Sequence, residues 1–455
     1  MDALLSAPGL ESSTWGVLVR SLTRGDTIYA EGAGRLLIPA SSLKIVTLAT
    51  AADRLGWDYA YETRLLGSGP IASGVLAGDL ILAGSGDPSI DDWDGMATLL
   101  FRSWSDRLRE LDIREVAGRL VCDDSVFDGE PFGSGWAWDD LSASYAAGIG
   151  ALQFNQNTVR LVVTPGSAPG EPGRVSSIPP VHDLTLDNQV TTGPAGEPGA
   201  LSIRRLPGSS MLTIGGSLPD GSPALFRNVS VDNPSIYFGQ ALQNALAANG
   251  IDVRGSVVDI DAIGDAPSRA DAIDLVIHRS NPLSMLAATM MRNSQNLYAE
   301  TLLKTLGRHE GTGTFDAGLD AVRSTLAAWG IDTDTLRLAD GSGLSRYNLV
   351  TADVLVAVLT RVHEDDRLRE PFQAALPLAG REGTLERRLS GTAAEENARA
   401  KTGSMSNIRT IAGYVRTADG EPLAFAIMAN NVASTARADE TIDAIVVALA
   451  EFSRQ

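Results

Sequence analysis

Ser41 and Lys44 stand three residues apart in Pro39-Ala-Ser-Ser-Leu-Lys44. A serine hydroxyl is a weak nucleophile until a neighbouring base takes its proton. A lysine amine drawn partly out of water loses enough of its charge to do so. The segment runs into Ile45, Leu48, Ala49 and Ala52, spaced i, i+3, i+4, i+7, so an amphipathic helix follows and the pair shares one of its faces. The serines fall where that helix begins, and the donors and dipole of a helix start favour a developing oxyanion. A helix cap followed by a surface lysine would have the same spacing. One count shifts the balance: of 37 basic residues only Lys44, Lys304 and Lys401 are lysines. A chain that uses arginine almost everywhere keeps lysine where an amine must be able to lose its proton, which a guanidinium does not do.

The remaining composition narrows the chemistry. The chain has 455 residues, enough for two or three domains, and a net charge of −19 that argues against nucleic acid or an anionic membrane as partner. A single Cys122 excludes an internal disulfide and a multi-cysteine metal site. Four histidines lack HxxxH spacing, which argues against a zinc enzyme, and no metal or other cofactor is expected. A Ser-His-Asp triad needs only one of them and stays open, although none lies in a nucleophile-elbow context. No stretch reaches about 18 apolar residues, so no transmembrane segment is expected. No signal peptide is visible either, although a leader removed ahead of residue 1 would leave no trace.

The elements that must position the pair follow from periodicity. Trp15–Val19 and Thr27–Ala30 read as a hairpin turning at Arg24-Gly25-Asp26, just before the serine helix. Short strands separated by glycine turns occupy 63–86, closing at Gly84-Ser-Gly-Asp-Pro88, then a helix near 94–111 and a strand near 117–122. Trp136-Ala-Trp-Asp-Asp140 leads to Tyr145, aromatics beside carboxylates that fit a recognition surface as well as a packed loop. Residues 165–225, rich in Gly, Pro, Ser and Thr, read as a small β domain. Helices follow from Pro234 to a stop at Asn249-Gly250 and over 283–307, the latter interrupted by the polar run Asn293-Ser-Gln-Asn296, with a strand near 272–278 between them. Two more helices, near 316–329 and 351–363, flank the turn Asp340-Gly-Ser-Gly-Leu-Ser-Arg346. Strands over 397–430 turn at Thr417–Gly420, and a terminal helix carries Ile442, Ile445 and Leu449. The two ends of the chain thus supply one sheet and its covering helices, with the middle inserted.

Three local signals align in this order: Ser41-x-x-Lys44, Ser294-Gln295-Asn296 and Lys401-Thr402-Gly403. Together they are the set of penicillin-recognising serine acyl-transferases and class A β-lactamases. With Gly84–Pro88, Trp136–Asp140, Ser294–Glu300 and Asp340–Arg346, the chain over nearly its whole length resembles the class C low-molecular-mass penicillin-binding proteins, D-alanyl-D-alanine carboxypeptidases/endopeptidases. Gln295 stands where aspartate is frequent in that family, at a position whose side chain is not expected to do chemistry.

The resemblance implies an α/β (α+β) penicillin-binding/β-lactamase-like transpeptidase domain, a central antiparallel sheet covered by helices, with nested inserted mostly-β domains. The expected division is 1–66 with 273–455 as catalytic domain, 67–164 with 226–272 as insertion, and 165–225 nested within it. It implies that Ser41 attacks the penultimate D-alanine carbonyl and Lys44 acts as base. Ser294 and Lys401 would relay a proton to the leaving amine, and Asn296 would hold the substrate amide. The Ser41 and Ser404 N–H groups would bind the oxyanion, with Thr402, Gly403 and Ser404 lining the carboxylate site. Asp140, Tyr145 and Arg346 match positions that read the third residue of the stem peptide. Peptidoglycan stem peptides and β-lactam antibiotics are the implied partners, and an extracytoplasmic location (periplasmic or cell-wall associated) follows from that substrate. The alternatives are a serine β-lactamase or esterase on the same fold, or a non-catalytic peptidoglycan-binding protein.

Overall fold

The computed structural model describes residues 1–6, 8–180, 182–309 and 313–454. The chain forms two compact units, one of residues 1–59, 133–136 and 282–455, the other of 60–132 and 137–281.

The first unit is built on strands β1 (Thr14–Ser21) and β2 (Thr27–Glu31), followed by helix α1 (Lys44–Leu55). After the long excursion come α2 (Leu283–Arg292), α3 (Asn296–His309), α4 (Phe315–Ala328), α5 (Ala352–Glu364) and α6 (Asp366–Ala375). Strands β3 (Arg399–Met405), β4 (Ile408–Arg416), β5 (Pro422–Asn430) and helix α7 (Thr435–Glu451) close the chain. The five strands form one antiparallel sheet in the order β3-β4-β5-β1-β2, so the two ends of the sequence share a sheet, as expected. Val17 pairs with Ile427 and Ile427 with Ile411 across its middle. Strand β5 is buried from Leu423 to Asn430, which requires cover on both faces. Ile442, Ile445 and Leu449 of α7 share a core with Val17, Val19, Phe425 and Ile427.

Helix α1 is buried over Lys44–Ala52. Its stripe residues Ile45, Leu48 and Ala49 are inaccessible to solvent, and each larger aliphatic side chain contributes about 2 kcal/mol by leaving water. That burial fixes the start of the helix, and with it Ser41, relative to β3.

The second unit carries a mixed five-stranded sheet in the order 257–259, 120–123, 80–83, 62–67, 273–279. Leu65 pairs with Leu82 and Thr63 with His278. The strands Glu62–Gly67 and Ile273–Arg279 therefore lie in this sheet, and the units divide at 59/60 and 281/282 rather than at 66/67 and 272/273. Phe101, Trp104, Phe154 and Phe238 form the aromatic centre of its core. Val190, Leu212 and Ile214, from the 165–225 stretch, pack into that same core. The stretch forms a three-stranded sheet in the order 185–193, 211–219, 200–205, and belongs to this unit. No helix among the described residues is long and apolar enough to cross a membrane.

Candidate active site

Ser41 lies in a single 3-10 turn, Ala40–Leu43, that runs into α1. Neither Ser41 nor Ser42 caps the helix with its side chain. The Ser42 hydroxyl pairs with Thr410 Oγ1 at 2.8 Å, and Thr410 in turn donates to the carbonyl of Pro39 at 2.8 Å, so the turn is stitched to β4. Ala40, at φ 45°, holds a left-handed conformation that a residue with a Cβ adopts only under constraint.

Lys44 is not a surface lysine: its side chain is fully buried. Its Nζ lies 2.9 Å from Ser41 Oγ, 2.7 Å from Asn296 Oδ1 and 2.9 Å from the carbonyl of Ser342. Burial pulls the amine down to about 7, against the opposing charges of Glu300 and Asp340. An amine poised there is protonated or neutral by turns near neutral pH, as an acid–base group must be.

Asn296 reaches Lys44 because the polar run 293–295 ends α2 and starts α3. Ser294 takes φ 57° at that break, at a cost of about 1–2 kcal/mol for a residue with a Cβ. The two helices are thereby offset, and Asn296 becomes the first residue of α3.

Lys401, Thr402, Gly403 and Ser404 lie on β3, the sheet edge. Gly403 is required by proximity. A Cβ there would stand 2.8 Å from the Pro39 carbonyl and 3.0 Å from the Ser41 nitrogen. Lys401 is fully buried and its amine held well below the ordinary lysine range, chiefly by burial and then by Lys44. It donates to the Thr402 carbonyl at 2.8 Å; among the described residues no hydrogen bond joins it to Ser294. The Thr402 hydroxyl donates to Thr384 Oγ1 at 2.7 Å, and Ser404 is exposed. Arg346 is exposed and donates to Asn407 Oδ1 at 3.1 Å, at the turn after β3.

Asp140 and Tyr145 belong to the second unit. The Tyr145 hydroxyl donates to Asp140 Oδ1 at 2.6 Å, and burial followed by that bond pushes the phenol up to about 12. Ser41, Lys44, Asn296 and the β3 residues are thus gathered in the first unit. The aspartate–tyrosine pair is preformed in the second.

Sequence reasoning gave no role to Glu300, Ser342, Thr384 or Thr410. Glu300 closes the Ser294–Glu300 stretch that carries the family resemblance, and lies four residues after Asn296 on the same helix face. The others act through backbone groups or as single hydroxyls, which carry no distinctive spacing.

A hydroxyl in contact with a buried amine, beside an edge strand carrying a second buried amine, defines a serine acyl-transfer enzyme of the penicillin-recognising class. Residues 1–452 match the D-Ala-D-Ala carboxypeptidase 3 (S13) family, and the chain belongs to it. It is 37% identical over 469 aligned positions to a D-alanyl-D-alanine carboxypeptidase of Actinomadura sp. strain R39, covering all of this chain and 84% of that one. The crystal structure of penicillin binding protein 4 from Haemophilus influenzae is similar at a TM-score of 0.88 with 27% identity, over 99% of each chain. A second structure of that protein, complexed with a β-lactam, is similar at a TM-score of 0.82 with 26% identity, again over 99% of each chain.

Proposed function

We propose that the protein hydrolyses the terminal D-Ala-D-Ala bond of peptidoglycan stem peptides through an acyl-enzyme on Ser41. The observation that carries this is the 2.9 Å contact between Ser41 Oγ and the fully buried Lys44 amine. Neutral Lys44 takes the hydroxyl proton as Oγ attacks the penultimate D-alanine carbonyl. The oxyanion forms against the Ser41 and Ser404 N–H groups, each donor worth roughly 3–4 kcal/mol in comparable acyl transfers. Asn296 holds the substrate amide. The proton passes by way of Ser294 and Lys401 to the departing D-alanine amine, and water then cleaves the ester. Thr402, Gly403 and Ser404 receive the terminal carboxylate, and Lys401 adds positive potential there when protonated.

A β-lactam carbonyl meets the same nucleophile. Its opened ring stays attached, so the leaving amine does not vacate the site and deacylation is slow. This chemistry, together with the β-lactam complex of the Haemophilus relative, supports acylation by penicillins. The second unit's Asp140 and Tyr145 are assigned to the third residue of the stem, an acid suited to the ammonium of a diaminopimelate-type side chain. Cleavage of peptide cross-links uses the same acyl step with a larger leaving group and is assigned to the same site. An extracytoplasmic location follows from the substrate.

Intact mass after incubation with benzylpenicillin tests the reading, with wild type set against Ser41→Ala. A stable adduct on wild type alone is expected. An adduct on both proteins overturns the assignment of Ser41, and rapid drug loss without adduct favours a β-lactamase. Turnover of stems differing only in the third residue tests the second-unit assignment. Equal selectivity in Asp140→Ala would sink it.

A further inference from the structure

The turn Asp340–Ser345 is wrapped around two buried carboxylates. Glu300, on α3 and fully buried, accepts the N–H groups of Gly341 and Ser342, each at 2.8 Å, one on each oxygen. Asp340 accepts those of Gly343 at 2.8 Å and Ser345 at 2.6 Å, together with the Asn348 amide at 2.7 Å and the Trp136 indole N–H at 3.1 Å. The Leu344 N–H goes to Ser342 Oγ at 3.2 Å. With the N–H side thus saturated, the carbonyls face α1. That of Gly341 accepts from Thr47 Oγ1 at 2.6 Å, and that of Ser342 accepts from Lys44 Nζ at 2.9 Å. Gly343 lies so close to the serine turn that a Cβ would stand 1.9 Å from the Ala40 carbonyl.

We infer that Glu300 is a positioning residue for acylation, using its two bonds to Gly341 and Ser342 to aim the Ser342 carbonyl at Lys44 and hold the amine on Ser41. The inference rests on the reading of Ser41 as nucleophile and Lys44 as its base. Lys44 has few other constraints: a four-carbon stem with three rotatable donors must be fixed by what its amine touches. Two of those contacts, Ser41 and Asn296, are groups that engage the substrate. The third is the carbonyl that Glu300 aims, and it stays in place when substrate enters.

Glu300 also faces Lys44 electrostatically. The charged groups around the Lys44 amine are Glu300 on α3, Asp340 in the turn and Lys401 on β3; the first two favour the ammonium, while Lys401 opposes a second charge. Burial, then Asp340, pushes the Glu300 carboxyl upward, against the Ser342 hydroxyl and the two N–H donors that favour its charge. Removing the Glu300 charge withdraws support for the ammonium and lowers the pH at which Lys44 becomes neutral.

The test is the second-order rate of acylation by benzylpenicillin across pH, for wild type, Glu300→Gln and Glu300→Asp. In Glu300→Gln one N–H meets an amide NH2 instead of an oxygen. Its plateau rate should fall by about 10²-fold, the scale of a misplacement near 1 Å, while the acid limb of the profile moves to lower pH. Glu300→Asp keeps the charge but falls one methylene short, so its plateau should fall while the limb stays in place. A limb moved by charge and unmoved by reach is not what a loosened fold would give. Rates within twofold of wild type and an unmoved limb in Glu300→Gln overturn the proposal. If that variant does not fold, a rate within twofold of wild type in Glu300→Asp overturns it. A wild type that is not acylated at all overturns instead the reading of Ser41.

Discussion

The helix corner and the edge strand of the first unit are built on opposite plans. At the corner, Ser41, Asn296 and the Ser342 carbonyl are within hydrogen-bond reach of the Lys44 amine, and Glu300 and Asp340 hold the turn behind them. On the strand, among the described residues Lys401 donates only to a neighbouring carbonyl, Thr402 is engaged by one threonine, and Ser404 is exposed. On the proposed reading, the corner performs the acylation step common to every substrate, and its preorganised contacts are where a catalyst gains most. The strand, on the same reading, receives the terminal carboxylate of the ligand. Its side chains make one hydrogen bond each or lie exposed, which on that reading leaves them capacity for a carboxylate.

Substitutions at the corner should therefore cost rate, and those on the strand should cost affinity. The largest effect is expected for Lys44→Arg, which keeps a cation but cannot become neutral; acylation should fall by about 10³-fold or more in stopped-flow measurements with a chromogenic cephalosporin. In wild type the same assay should show a rate that rises with pH through about 7, because burial lowers the Lys44 amine to that value and the neutral form is the base. A profile flat from pH 5 to 9 would break the assignment. Gly403→Ala sits where strand and corner touch. The added methyl would crowd the Pro39 carbonyl and the Ser41 nitrogen, so acylation should fall by about 10²-fold with the fold intact by circular dichroism. Thr402→Val should have the smallest effect, raising KM for a D-Ala-D-Ala peptide by roughly tenfold, the lower end of what one hydrogen bond to a charged group contributes, with kcat nearly unchanged. A kcat loss as large as that of Gly403→Ala would erase the distinction between the two regions.

The corner was half legible in the sequence. Ser41, Lys44 and Asn296 could be found because helical spacing, a polar break in an apolar helix and the scarcity of lysine each leave a mark in one dimension. The Glu300 clamp could not, because its partners are backbone N–H groups that every residue but proline offers. The expectation that serines mark the helix start held for position but not for bonding: their hydroxyls face Lys44 and Thr410. Helix α6 was missed since Asp366–Ala375 is half polar and carries Pro371. The strands 62–67 and 273–279 were recognised as strands yet assigned to the wrong side of the boundary. Alternation tells that a strand has a buried face, and pairing partners some two hundred residues apart decide which sheet it joins.

The burial of lysine has a consequence outside catalysis. Lys44, Lys304 and Lys401 are all fully buried, and all three lie in the first unit. A lysine-specific protease therefore finds no side chain to recognise while that unit stays folded. Cleavage by such a protease reports opening of the first unit and nothing else. The product spanning residues 45–304 would carry the whole second unit unbroken, separated from the catalytic half by the enzyme's own amino-acid usage.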